Sequence, residues 1–251
     1  PDSREEALSF IRNISLGRHD EDKAAAFLDN GPAMLTYIEE HTPLTMAADP
    51  DRPDYNMATG GAKLGGRGLE PDIETLQKML AQAQKQYPMV GKVRQSPTAK
   101  AFTGGQALIG ALVLGCLSRG ISIMTKTRAR QLLVKDNRVI GVRVERDYEP
   151  DLFIRAKKAV LLATGGYEWN EEMNKRFIPG PDIHPHTPPS NEGDGHIMGM
   201  EVGAALALMD TSVWAPSIHI KGEEFEGKPI YRSMSKSTGI PGNMVVNKYG
   251  R

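Results

Sequence analysis

The sequence predicts an α/β protein in which helices alternate with strands and a small antiparallel meander lies between them. Three observations support this prediction. An apolar helical segment over 107–118 is followed by an apolar run over 121–125 with the character of a buried strand. Three strand-like segments separated by turn residues come next, and a second apolar run over 159–163 ends in Thr-Gly-Gly. This succession of helix and strand is typical of an α/β sheet.

The N-terminal part of the chain has a helical pattern. Apolar residues recur at helical spacing over 3–41, and breaks near Gly17 and at the Gly-Pro pair 31–32 predict two or three short helices. Residues 42–71 have no sustained period and contain many Gly and Pro residues, so we predict a long loop. Long loops in compact domains are often functional. A further helix is predicted over 72–86.

The elements after the apolar helix follow from local patterns. Strands are predicted over 129–134, 138–145 and 152–156, because turn residues separate three stretches of strand character. A short helix is predicted over 171–177. The Met-rich segment 197–209 predicts a helix that packs in the core, since Met fills irregular gaps.

Composition excludes several classes of partner. The 31 Lys and Arg residues balance 31 Asp and Glu residues, and no basic block stands out, which argues against a nucleic-acid partner. Cys116 is the single cysteine, so an internal disulfide is excluded. Apolar runs fall short of the roughly 20 residues of a membrane span. We therefore expect a cytoplasmic protein without a membrane span.

Two glycine-containing segments are candidate ligand loops. The first is Thr164, Gly165 and Gly166, after the apolar run, where glycines let a backbone approach a phosphate or ribose. The simpler alternative is a tight turn that needs a positive φ. The second is the Gly-Asp-Gly segment at 193–195, which precedes a helix. Asp194 is either an N-cap or the acceptor of a hydrogen bond from a cofactor held at the helix N-terminus.

Other groups of residues give weaker indications of a metal site or of a catalytic nucleophile. His184 and His186 lie in a Pro-rich stretch at a spacing too short for a helical metal pair, and no carboxylate or thiol cluster accompanies them, so we expect no metal site. No Ser lies in a G-x-S-x-G turn, and Cys116 lies in the apolar helix. The sequence thus offers no candidate for nucleophilic catalysis.

Taken together, three stretches resemble one protein family. Residues 138–173, which contain AVLLATGG, are followed by SNEGDGHIMGMEVGAALALMDTSVWAP at 190–216 and PGNMVVNKYGR at 241–251. In this order they resemble flavoproteins of the fumarate reductase and succinate dehydrogenase superfamily. The segments HTPL, PDY, GGRGLEP and GGQALIGAL, which begin at residues 41, 53, 65 and 104, resemble its 3-ketosteroid delta-1-dehydrogenase branch.

The resemblance implies FAD as the cofactor and assigns residues to it. In the family the ATGG turn and the GDG loop contact FAD, and these map onto Thr164, Gly165, Gly166, Gly193, Asp194 and Gly195. Ala129 matches the position whose backbone reaches the adenine. Tyr55 matches the PDY tyrosine that lies beside the flavin and supports a tyrosine base, although from PDY alone an exposed loop aromatic is the simpler interpretation.

The resemblance also implies a fold, a domain division and a reaction. The fold is an incomplete FAD-binding, Rossmann-like α/β domain over 1–209, which lacks its N-terminal βαβ unit, followed by the start of a catalytic cap domain over 210–251. The family's G-x-G-x-x-G turn is expected before Pro1 and its tyrosine base after Arg251, so we expect this chain alone to be inactive and to bind FAD weakly or not at all.

The implied reaction is dehydrogenation of a carbon-carbon bond next to the carbonyl of a steroid-like small molecule, with hydride transfer to the flavin and proton transfer to a tyrosine. The electron acceptor has no signature in the sequence. Two alternatives stay open: a fumarate reductase-type enzyme for small dicarboxylates, and a non-catalytic binding module. Fumarate reductase-type enzymes have an H-P-T-like segment where this chain has Trp214-Ala215-Pro216. This difference argues against a dicarboxylate substrate.

Overall fold

The structure is a computed structural model, and it describes residues 2–71, 104–178, 180, 183–225, 227–234, 244, 246 and 249–250. The chain divides into two compact units, Pro1–Ile123 and Met124–Arg251. The helix predicted over 72–86 lies outside the described residues. Helices and small antiparallel sheets make up both units, consistent with part of an FAD-binding α/β domain.

Two helices open the first unit. Helix α1 spans Arg4–Ile14 and α2 spans Glu21–His41; the predicted break near Gly17 is confirmed, since this residue has φ +78°. The predicted break at 31–32 is wrong, because α2 continues through Pro32. A proline removes one backbone donor from a helix. The capped N-terminus, where Asp20 accepts a hydrogen bond from the Lys23 amide at 3.1 Å, helps to offset that loss.

The core of the first unit lies beneath the apolar helix. Helix α3 spans Gly104–Leu117, as predicted within a few residues, and its Ala107 and Ala111 pack with Leu44 as fully buried side chains. Strands β1 (Met46–Ala48) and β2 (Leu69–Pro71) form an antiparallel pair at the two ends of the predicted loop. The pairing closes this loop on itself, and α3 packs against β2.

The predicted meander is confirmed in the second unit. Strands β3 (Thr127–Lys135), β4 (Arg138–Arg146) and β5 (Glu149–Arg155) form an antiparallel sheet in that order. An irregularity in β3 between Ala129 and Gln131 shifts the register of its pairing with β4. Such bulges re-aim side chains at the edge of a sheet.

Two predicted strands are wrong. Residues 121–125 and 159–163 are irregular in the structure, and Leu161 is 89% exposed. An extended segment becomes a strand only when a neighbour pairs with its backbone groups. In the part of the chain that the structure describes, no strand pairs with either run.

The helices of the second unit are short. Helix α4 spans Glu171–Phe177, as predicted. Helix α5 spans only Asp194–Glu201 and ends well before the predicted limit of 209. The Gly203 amide donates to the Met200 carbonyl at 3.0 Å, and the Ala204 amide donates to the Gly199 carbonyl at 2.9 Å. With φ +90° at Gly203, this Schellman motif ends the helix.

A hairpin follows that the sequence pattern did not predict. Strands β6 (Ser217–Phe225) and β7 (Lys228–Ser233) pair in antiparallel fashion, with a register shift between His219 and Glu224. The hairpin lies in the segment predicted to begin a cap domain. Of the helices within the described residues, none has the length and apolar character to span a membrane.

Candidate functional site

The two glycine-containing segments predicted to bind FAD are packed against each other. The Gly193 amide donates a hydrogen bond to the Gly166 carbonyl at 3.1 Å. A Cβ atom placed on Gly195 would overlap the hydroxyl oxygen of Thr164. The structure therefore brings Thr164–Gly166 and 193–195 together, although they lie far apart in the sequence.

The backbone conformation requires glycine at positions 165 and 193. Their φ values are +75° and +84°, in the region that favours glycine. A Cβ atom on Gly193 would lie 2.6 Å from the Met173 sulfur, and one on Gly165 would lie 2.5 Å from Oδ1 of Asn191. The tight turn expected as the simpler alternative is thus present. Contact of these loops with FAD stays a prediction.

Asp194 does not occupy the N-cap position of its helix. Gly193 is the N-cap of α5, and no side chain caps this helix end. The Asp194 carboxylate instead accepts two hydrogen bonds from Arg128 of β3: from Nε to Oδ2 at 2.6 Å and from Nη2 to Oδ1 at 2.8 Å. The bidentate contact with Asp194 raises the pKa of Arg128 above its ordinary value.

The ion pair extends into a chain of four charged residues, which we call the charge chain: Asp194, Arg128, Glu192 and Lys228. Nη2 of Arg128 donates to Glu192 at 2.7 Å, and Nζ of Lys228 donates to the other oxygen of Glu192 at 3.0 Å. The hydrogen bond from Lys228 lowers the pKa of the Glu192 carboxyl most, and the hydrogen bond from Arg128 lowers it further. Two cations thus balance two carboxylates beside the glycine loops.

Ala129 lies beside this chain. It follows Arg128 in β3, pairs with Val144 of β4 and is half-buried. Because Arg128 is bonded to Asp194, the start of β3 is held at the N-terminus of α5. The predicted adenine contact and the predicted carboxylate contact therefore belong to one cluster.

A cleft of about 710 Å³ adjoins the ATGG turn and is lined in part by Gly166, Tyr167, His196 and Trp214. The Tyr167 hydroxyl donates to the Met209 carbonyl, and burial raises the pKa of Tyr167. The ring of His196 lies edge-on to that of Tyr167, with centroids 5.5 Å apart. Nδ1 of His196 is buried and has no hydrogen-bond partner among the described residues.

These features fit the FAD that the resemblance implies. The N-terminus of α5 has no side-chain cap, and such an end attracts phosphate through its free amides and its dipole. Buried polar atoms are costly without a partner, so Nδ1 of His196 marks a position where a bound group can pair.

The histidines give no indication of a metal. His184 and His186 line the cleft, and the ring of His184 stacks on Tyr231 with centroids 4.5 Å apart. Within the described ranges, no group of three or more His, Cys, Asp or Glu residues is placed to hold a metal ion.

Tyr55, the predicted catalytic residue, lies in the first unit, whereas the predicted FAD residues lie in the second. Its side chain is 78% exposed. The residue before it is fixed: the Asp54 amide donates to the Lys63 carbonyl and the Lys63 amide donates to the Asp54 carboxylate, both at 2.9 Å. The loop therefore holds an exposed tyrosine on an anchored backbone.

Sequence reasoning missed several residues of this site. Arg128 and Lys228 join it through partners 66 and 36 residues away, and no local pattern indicates such a pairing. The sequence could have indicated Tyr167 and Glu192 as site residues, because each directly adjoins one of the predicted glycine segments.

Comparison with known proteins identifies the family of this chain. The family described as "FAD binding domain" matches residues 1–251. The 3-oxosteroid 1-dehydrogenase of Mycobacterium tuberculosis is 30% identical over all of this chain and 51% of its own length. The 4-oxocyclohexanecarboxylate 2-dehydrogenase of Sinomonas cyclohexanicum is 27% identical over all of this chain and 47% of its own length.

A solved structure is also similar. The 3-ketosteroid delta1-dehydrogenase of Sterolibacterium denitrificans, crystallised with 1,4-androstadiene-3,17-dione, matches with a TM-score of 0.74 and 28% identity, over 89% of this chain and 48% of that one. The chain thus spans about half the length of the relatives it matches. The match of the family over the whole length of the chain shows that this chain belongs to the FAD-binding domain family, whose cofactor is FAD.

Proposed function

We propose that the complete protein is an FAD-dependent dehydrogenase that removes hydrogen from a carbon-carbon bond next to a ring ketone. The observation that supports this most is the similarity of the whole chain to dehydrogenases of oxo-substituted rings. The packed glycine loops and the N-terminus of α5, which has no side-chain cap, supply a place for the cofactor.

The names of two relatives share one chemical relationship. A 3-oxosteroid is dehydrogenated at position 1, and a 4-oxocyclohexanecarboxylate at position 2. In both, the named carbon is two positions from the ketone carbon. Hydrogen loss there involves the intervening carbon, whose proton is acidified by the ketone. We propose the same relationship between ketone and reacting bond in the substrate of this protein.

The chain's residues then have separate tasks. Ala129, Thr164–Gly166 and 193–195 hold the cofactor, with Asp194 as an ionised hydrogen-bond acceptor. Bound FAD supplies the hydride acceptor. Tyr55 donates a hydrogen bond to a tyrosine base, which removes the acidified proton. We also propose that residues 1–209 belong to the FAD-binding domain and that 210–251 begin the catalytic cap.

One observation favours a second candidate substrate class. His184 and His186 line the cleft beside the ATGG turn, together with apolar side chains such as Trp214. A histidine can donate a hydrogen bond to a carboxylate. A ring ketone that bears a carboxylate therefore suits this cleft better than a wholly apolar ring system.

The test is turnover by the complete protein, purified with FAD and supplied with an artificial electron acceptor. A 3-oxosteroid, 4-oxocyclohexanecarboxylate and succinate are compared at matched concentrations. We expect turnover of a ring ketone, and the ratio of kcat/KM for the first two decides between the two classes. Turnover of succinate alone would replace this proposal with the dicarboxylate reaction, and FAD binding without turnover of any of the three would indicate a binding module.

A further inference from the structure

We propose that Arg128 is a positioning residue for the cofactor, which fixes the Asp194 carboxylate and the loop before it in the orientation that FAD requires. The inference rests on the proposed contact between Asp194 and FAD. It assigns a cofactor-related task to a side chain that sequence reasoning left without one.

The geometry of the pair supports this task. Arg128 donates to both carboxylate oxygens of Asp194, at 2.6 and 2.8 Å, in a planar fork that fixes the plane of the carboxylate. Each oxygen of a carboxylate has two acceptor positions. One position on each oxygen therefore stays available for a hydroxyl donor of the cofactor.

Charge gives a second reason. Glu192 and Asp194 are separated by one residue, and Arg128 lies between their carboxylates. FAD contains a pyrophosphate, which is also anionic. Without the guanidinium, two carboxylates would face each other beside an anionic ligand, with only Lys228 left in the charge chain to balance them. Arg128 thereby removes a repulsion that would oppose cofactor binding.

The position of Arg128 in β3 gives a third reason. The next residue along the strand is Ala129, whose backbone is proposed to reach the adenine, and the strand is irregular just beyond it. Asp194 begins α5, 66 residues later. The ion pair therefore holds the two proposed cofactor contacts at a fixed separation.

The experiment measures FAD affinity in the complete protein, by flavin fluorescence during titration of the deflavinated form. The single variants are Arg128→Gln, Arg128→Lys and Asp194→Asn. The double variant combines Arg128→Gln with Asp194→Asn. Arg130→Gln is the matched control, because Arg130 lies two residues along the same strand and pairs with Glu145 at 2.5 Å. The melting temperature of each deflavinated variant and its flavin absorption spectrum are recorded as well.

We expect Arg128→Gln to weaken FAD binding by about 10- to 100-fold, the range for loss of one charged hydrogen-bonding group. Arg128→Lys should recover part of the affinity, and the Arg130→Gln control should stay within about threefold of wild type. In the double variant the effect should fall short of the product of the single effects, because both changes remove the same contact.

Three results would overturn the proposal: an Arg128→Gln affinity equal to that of the Arg130→Gln control, independent effects in the double variant, or a loss of melting temperature with no loss of affinity. Should Arg128→Gln fail to fold, the comparison of Arg128→Lys with the control decides in the same way. If Asp194→Asn alone leaves affinity unchanged, the proposed contact between Asp194 and FAD is wrong, and the proposal for Arg128 falls with it.

Discussion

Asp54 and Arg67 are joined by an ion pair, with Nη1 of Arg67 donating to the Asp54 carboxylate at 2.6 Å. The pair connects the PDY segment to the GGRGLEP segment. Arg67 also donates to Asp2 through Nε and Nη2, and its guanidinium lies 5.4 Å from the centroid of the Phe10 ring. Two of the four segments that resemble the steroid dehydrogenase branch are thus parts of one anchored loop, which holds Tyr55.

The first prediction concerns this anchor. Arg67→Ala should lower the free energy of unfolding by about 1–3 kcal/mol, because it leaves the largely buried Asp54 carboxylate without its cationic partner. Arg52→Ala is the control, since Arg52 pairs with Glu70 on the same loop but is about half exposed; its cost should stay below about 1 kcal/mol. Urea denaturation of both variants measures the difference. Equal costs would show that Arg67 does not anchor the loop.

The second prediction concerns Tyr55 in the complete protein. Tyr55→Phe removes only the hydroxyl from a ring that is 78% exposed, so the fold and flavin content should be unchanged. Turnover of a ring ketone should fall by roughly 10²-fold, within the range for positioned proton transfer. Steady-state kinetics across pH with an artificial electron acceptor tests this. Equal turnover in the two forms would exclude Tyr55 from the mechanism.

The third prediction concerns Asp194. Asp194→Ala in the complete protein should weaken FAD binding by about 10- to 100-fold, since an ionised acceptor contributes roughly 1.5–3 kcal/mol. Asp151→Ala is the control, because Asp151 forms a similar ion pair with Arg143 at 2.6 Å within the meander. Fluorescence titration with FAD measures both. A loss of stability without a loss of affinity would limit Asp194 to its structural pairing with Arg128.

The fourth prediction concerns the contact between the glycine loops. Gly195→Ala should destabilise the second unit by about 1–3 kcal/mol, because the added methyl group overlaps the Thr164 hydroxyl. Thr164→Ala removes that obstacle, so the double variant should recover much of the lost stability. Thermal melting of the two single variants and the double variant measures the coupling. Additive losses would mean that the two loops do not meet at this point.

The fifth prediction is a pH dependence. Lys228 and Arg128 lower the pKa of Glu192 below its ordinary value of 4.5, so the folded state favours the ionised form. The resulting stability is present above that ordinary value and is lost as pH falls below it, toward the folded-state pKa. The melting temperature of wild type should exceed that of Glu192→Gln at about pH 7, and the gap should shrink in acid. High salt should reduce the gap as well.

Much of the meander could be predicted from the sequence because its determinants are local. Alternation of side chains defines the strands, and Asp136 and Asn137, the two residues of the first turn, have φ +50° and +57°. These residue types tolerate that conformation. Helix α4 was equally predictable, because Asn170 caps it and an acidic first turn precedes a basic last turn.

The sequence by itself therefore determined helices α3 and α4, the break before α2, the meander, the glycine positions and, through resemblance, the cofactor. Only the tertiary structure decided that the runs at 121–125 and 159–163 stay irregular and that α5 ends at Glu201. It also decided that Arg128 meets Asp194, 66 residues away. Turns and caps depend on neighbouring residues, whereas strand pairing and ion pairs depend on which distant segments the folded chain brings within hydrogen-bond distance.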